Sequence, residues 1–236
     1  SRPAAEAKGR RAYAMLADKM GSITPADIME VWRDNKLAGT FLESRFGMEK
    51  CFRALSEHLI GNSIAGSAVV QLRKNPEIPE PMRNLVWAAM ASPDCSGYRP
   101  FYFCAKVPEE LSVGESTYDV KSPWWCFDML DRMARANEEC YFDVLKAIWA
   151  PYEARMFREH EMVEKKATKL FKAGKADEAQ KVLSDFVQLY CDKSWNIAKG
   201  LQGVFKELNK VVPGPVVNIA DPKGTSNKKA NVVLFQ

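Results

Sequence analysis

The chain has 236 residues, enough for one large domain or two small ones around a buried core. Thirty-four Lys and Arg against 30 Asp and Glu leave a net charge of +4, too mild a surplus to demand a nucleic-acid partner. At 47% apolar and 27% charged residues the composition excludes a disordered chain, and the longest apolar run, Leu85 to Ala91, is far short of the roughly 20 residues of a membrane span.

Residues 4–20 are rich in Ala, Glu, Lys and Arg, with Tyr13, Leu16 and Met20 at helical spacing and Gly21 as the stop. Thr24-Pro25-Ala26-Asp27 then predicts a helix start. The hydroxyl caps a free N–H, Pro25 is pre-set for the first turn, and Asp27 favours the positive helix end. Ile28, Val31 and Trp32 form its predicted buried face, and residues 36–47 read as a loop. Three β-prone stretches follow, residues 67–73, 84–91 and 98–106, separated by clusters of proline (Pro76, Pro79, Pro81; Pro93, Pro100). They predict a layered three-stranded sheet.

From Pro123 onward the pattern is helical. Phe127, Leu130, Met133, Tyr141, Val144, Leu145, Ile148 and Tyr152 define one face, with a kink expected at Pro151. Gly174 breaks the run. Ala179, Val182, Leu183, Phe186 and Tyr190 mark the next helix, and Ile197, Leu201, Val204, Phe205 and Leu208 a last one. Amphipathic helices joined by a short break predict an αα-hairpin packed on the sheet. Residues 213–236 change to Pro, Gly, Asn and Lys and read as an extended or disordered tail.

Six cysteines (51, 95, 104, 126, 140 and 191) are scattered without a CxxC, so neither a zinc ribbon nor a redox pair is predicted. Buried free thiols in a reducing compartment are expected, and no Asn-x-Ser/Thr acceptor occurs, which favours the cytoplasm over secretion. The two histidines, His58 and His160, do not share a ligand spacing, so no metal site is predicted. The runs around Glu159 to Lys166 and Lys172 to Lys181 mix both charges at helical spacing and read as solvated helix surface. There is no GxSxG, Walker loop or GxGxxG. Taken alone, the residues describe a mixed α and β domain without a self-contained active site.

Three segments, in this order, resemble the C-terminal half of the dipeptidase A/secernin family, cysteine peptidases of the N-terminal-nucleophile hydrolase superfamily. Ile23-Thr-Pro-Ala-Asp-Ile-Met-Glu-Val-Trp-Arg-Asp-Asn35 is similar to the family's I-T-x-x-D-hydrophobic-M … L-R-D-H segment, with Asn35 in place of the usual His. Asn62-Ser-Ile-Ala-Gly-Ser-Ala-Val-Val-Gln-Leu-Arg73, then Val86-Trp-Ala-Ala-Met and Pro93-Asp-Cys-Ser-Gly-Tyr-Arg-Pro-Phe-Tyr102, resemble two family strands and an S-x-x-x-P turn, with Ser63 near the usual Thr. Ser122-Pro-Trp-Trp125 followed by Leu130-Asp-Arg132 resembles the opening of a long helix. The resemblance spans residues 10–210.

The resemblance implies an α+β fold: residues 1–212 as half of a four-layer αββα sandwich, with helices over 4–35 and 123–211 and strands over about 66–106. It implies amide hydrolysis of dipeptides or small N-acyl compounds, in which an N-terminal Cys is nucleophile and its own α-amine, of near-neutral pKa, is the base. That Cys belongs to the N-terminal half, so the expected partner is a separate N-terminal chain of the same precursor. Ser1 opens a helix lead-in rather than a strand, which argues against it as a nucleophile. Arg2 is a candidate catalytic helper, and Trp87, Ser96, Tyr98 and Trp124 are candidate substrate contacts. No cofactor, metal or nucleic acid is implied, and a higher homo-oligomer is left open. The alternatives are a secernin-like protein with a binding or regulatory role and a standalone helical interaction domain.

Overall fold

A computed structural model describes residues 2–34, 64–136 and 138–211. The chain divides into two compact units, Ser1–Ile64 and Ala65–Gln236. The candidate loop at 36–47, Asn35, His58, Cys51 and the tail at 213–236 lie outside the described residues.

In the first unit, helix α1 (Arg2–Leu16) runs into a 3-10 turn, and α2 spans Pro25–Arg33. The start of α2 follows from its residues. Thr24 Oγ1 accepts from the Asp27 amide at 3.3 Å, while the Asp27 carboxylate accepts from the Thr24 amide at 2.7 Å, a reciprocal capping box with Pro25 in the first turn. Arg11 of α1 holds Asp34, just past α2, through two nitrogens at 2.8 and 3.2 Å. The buried residue of α2 is Met29, whereas Trp32 is 55% exposed and Ile28 and Val31 are intermediate. The expected face is therefore displaced: in a nine-residue helix one apolar position suffices to anchor it, and Met29 takes that place. Tyr13 and Met20 are exposed as well.

The second unit contains β1 (Gly66–Leu72), β2 (Asn84–Met90) and β3 (Arg99–Tyr102), antiparallel in the order β1-β2-β3. The register pairs Val69 with Trp87 and Val70 with Val86, then Leu85 with Tyr102 and Val86 with Phe101. Alternation along each strand separates two faces. Val69, Leu85, Trp87, Ala89 and Tyr102 are buried, while Val70 and Leu72 on the opposite face are 56% and 73% exposed. The described strands form one sheet with helices against it, so the mixed α+β class holds at the level of a single small sheet.

Three helices follow: α3 (Pro123–Ala136), α4 (Glu138–Lys172) and α5 (Ala176–Val211). Helix α4 continues through Pro151, which lies on its exposed side. Where the apolar spacing predicts two helices after Gly174, there is one of 36 residues. The step between Tyr190 and Ile197 carries no breaker, and Cys191, Ser194 and Ala198 continue the buried stripe. The hairpin between α4 and α5 closes as a Schellman turn. Gly174 takes φ +75, Lys175 donates its amide to Leu170 O, and Gly174 donates to Phe171 O, both at 3.0 Å. Ring contacts hold the helices together: Tyr141 stacks on Phe205 at 4.1 Å, and Tyr152 meets Tyr190 edge-on at 5.5 Å. No helix among the described residues is long and apolar enough to cross a membrane.

Candidate functional site

The connection from β2 to β3, residues 91–98, is a loop that is almost wholly buried. Loops normally run over a surface because their backbone groups need water. This one finds its partners in α3 and α4 instead. Ala91 adopts φ +54, the one non-glycine residue with positive φ among the described residues, and donates its amide to Ala65 O at 3.1 Å. That conformation is disfavoured for a residue with a Cβ and persists where the surroundings impose it.

Ser92 donates its hydroxyl to Asp94, and the Cys95 amide returns to Ser92 O at 3.0 Å. The Cys95 thiol donates to Asp131 Oδ1 of α3 at 2.9 Å, and Arg135, one turn on, donates to Asp131 Oδ2 at 2.9 Å. Trp149 of α4 donates its indole N–H to Cys95 O at 3.1 Å. The Tyr98 amide donates to Glu153 Oε1 at 2.8 Å, and the Tyr98 hydroxyl lies 2.8 Å from Ser67 Oγ on β1. Next to the Cys95 pair, Asp128 and Arg132 repeat the i,i+4 pairing at 2.7 Å; burial outweighs Arg132 and raises the Asp128 carboxyl.

Asp94, Cys95 and Asp131 bring one ligand atom each to within 4.8 Å of one another. Two carboxylates and a thiolate are a donor set a divalent cation of the zinc type accepts. Asp131, however, already spends both oxygens on Cys95 and Arg135, and Asp94 accepts from Ser92. As arranged, the residues tie one another, with the Arg135 guanidinium supplying the positive charge beside Asp131.

A second polar group lies under the sheet. Arg73 donates from Nη1 to both oxygens of Glu164, each at 2.7 Å, and His160 Nε2 lies 3.2 Å from Glu164 Oε1. His160 is 9% exposed, between Trp87 (5.0 Å between ring centroids) and Tyr102 (6.1 Å, stacked). The expectation of a solvated face around Glu159 to Lys166 therefore fails at His160 and Glu164. These two are four residues apart and face the sheet with Met156 and Ala167, which are both fully buried. Burial and the Glu164 carboxylate push the Tyr102 hydroxyl well up.

The sequence-predicted contacts are distributed as follows. Trp87 is 1% exposed on the helix-facing side of β2 and donates to Gln71 Oε1 at 3.3 Å. Ser96 and Tyr98 are fully buried in the 91–98 loop. Trp124 opens α3 half-buried and donates its indole N–H to Ala65 O at 2.8 Å. Ala65 O thus receives both Ala91 and Trp124, which brings Trp124 to the mouth of the same loop. Arg2 begins α1 in the first unit, and its side chain lies outside the described residues. The composition-based expectation of free thiols agrees with Cys95, Cys104, Cys126 and Cys191, of which only Cys104 is not buried. Asp131, Arg135 and Glu153 were not among the predicted site residues; the signal for the two acids is a carboxylate on the apolar stripe of a helix, and Arg135 follows Asp131 as its i,i+4 partner.

No family model matches the chain, and no curated protein is significantly similar to it.

Proposed function

We propose that this chain is the distal part of an N-terminal-nucleophile hydrolase of the dipeptidase type, cleaving the amide bonds of dipeptides or small N-acyl compounds. The nucleophilic Cys comes from a separate N-terminal chain, whose sheet completes the four-layer sandwich. The observation that carries this reading is the outward face of the sheet. Val70 and Leu72 are 56% and 73% exposed, Val86, Ala88, Met90 and Phe101 are only partly covered, and Phe103 just beyond β3 is 73% exposed. A contiguous apolar β-surface beside the edge of β1, unpaired among the described residues, supports an interaction site. A second sheet laid on it would bury that surface at about 10 Å separation, as sandwiches do.

Beneath that face, the rigid 91–98 loop would supply the back wall of the pocket, with Trp124 at its mouth. The attacking thiol, its α-amine and the oxyanion donors would stand on the added sheet.

Denaturing mass analysis of the protein isolated from its source tests the assembly, and a dipeptide panel tests the chemistry. Two chains in equal amount are expected, the second starting with Cys, with hydrolysis abolished by a thiol alkylating reagent. A single polypeptide species overturns the two-chain assignment, and activity untouched by alkylation overturns the thiol.

The alternative, a secernin-like binding or regulatory protein, draws support from the sealing of Trp87, Ser96 and Tyr98, which leaves those side chains to structure. A second chain whose first residue carries neither thiol nor hydroxyl would decide for it.

A further inference from the structure

We draw no further inference here: the strongest candidate, the cluster of Asp94, Cys95 and Asp131 between the 91–98 loop and α3, carries nothing because its thiol and carboxylates are already hydrogen-bonded within the cluster, to Ser92 and to Arg135, and no second observation among the described residues points to a ligand there.

Discussion

The most exacting test of the 91–98 loop is its glycine. A Cβ added at Gly97 would stand 2.6 Å from Trp149 Cε3, 2.8 Å from Tyr152 Cε1 and 3.0 Å from Trp149 Cζ3. Neither ring is free to retreat. Trp149 is held by its indole hydrogen bond to Cys95 O at 3.1 Å, and Tyr152 by its hydroxyl bond to Tyr190 O at 3.0 Å. The two rings also meet edge-on at 5.4 Å. Moving them to normal van der Waals distance requires about 1 Å of displacement, which adds overpacking of about 1–3 kcal/mol to the loss of one or both hydrogen bonds at about 1 kcal/mol each. Gly97→Ala should therefore destabilise the second unit by about 2–5 kcal/mol and lower its thermal midpoint by roughly 5–15 °C. Gly200, in the exposed part of α5 with nothing within 4 Å of an added Cβ, is the matched control. Gly200→Ala should gain up to about 1 kcal/mol from helix propensity alone. Circular dichroism melts of the three proteins decide the matter. A Gly97→Ala midpoint equal to wild type would refute the close seating of the loop on α4.

Three further outcomes follow from the charged groups. Burial by itself would raise the Glu164 carboxyl, but the hydrogen bonds and charges of His160 and Arg73 outweigh it and hold it below its ordinary 4.5. Its contribution is thus present at neutral pH and lost as acid protonates it, so Glu164→Gln should cost about 1–3 kcal/mol at pH 7 and converge with wild type in acid denaturation profiles below pH 4.5. Burial raises the Cys126 and Cys191 thiols to about 11, so iodoacetamide at pH 8 should label the half-buried Cys104 before either, as read by peptide mass mapping. Lys19 and Thr24 hold the Asp27 carboxyl down at about 2, and Thr24→Ala should raise it in a carboxyl-carbon NMR titration while the first amides of α2 exchange faster.

The strands and the hairpin were legible because each is specified locally. Alternation marks Ser67 to Leu72, the apolar run marks Leu85 to Met90, and Gly174 supplies the left-handed residue a helix end needs. Thr24-Pro25-Ala26-Asp27 carried its capping box in four residues. What was not legible depends on which side of a helix faces the sheet. His160 and Glu164 belong to a run whose composition is that of solvent-facing helix, and only their spacing from Met156 and Ala167 places them inward. The union of two expected helices into α5 was missed for the opposite reason: Cys191, Ser194 and Ala198 are small, and small residues on a buried stripe carry little hydropathy signal. Within the candidate site, Ser96, Tyr98 and Trp124 were singled out, but Asp131, Arg135 and Glu153 enter only through contacts between elements distant in sequence.

The two faces of the sheet divide the labour of the second unit. On the helix side, polar groups tie strand and loop to α3 and α4: Arg73 to Glu164, Cys95 to Asp131, and Tyr98 to Glu153. Buried charges of this kind are poor sources of net stability, because desolvation offsets most of their attraction. Breaking one is nonetheless expensive, so they penalise any other seating of the loop. The outward face is the reverse: Val70, Leu72, Val86 and Phe101 offer apolar area without directional contacts. Apolar area drives association but does not by itself fix an orientation. Position must then come from elsewhere, and the edge of β1, unpaired among the described residues, offers backbone groups that would fix an added strand in one register. A completing chain would therefore meet a loop whose geometry is already fixed from behind, and it would lose little order of this unit on docking.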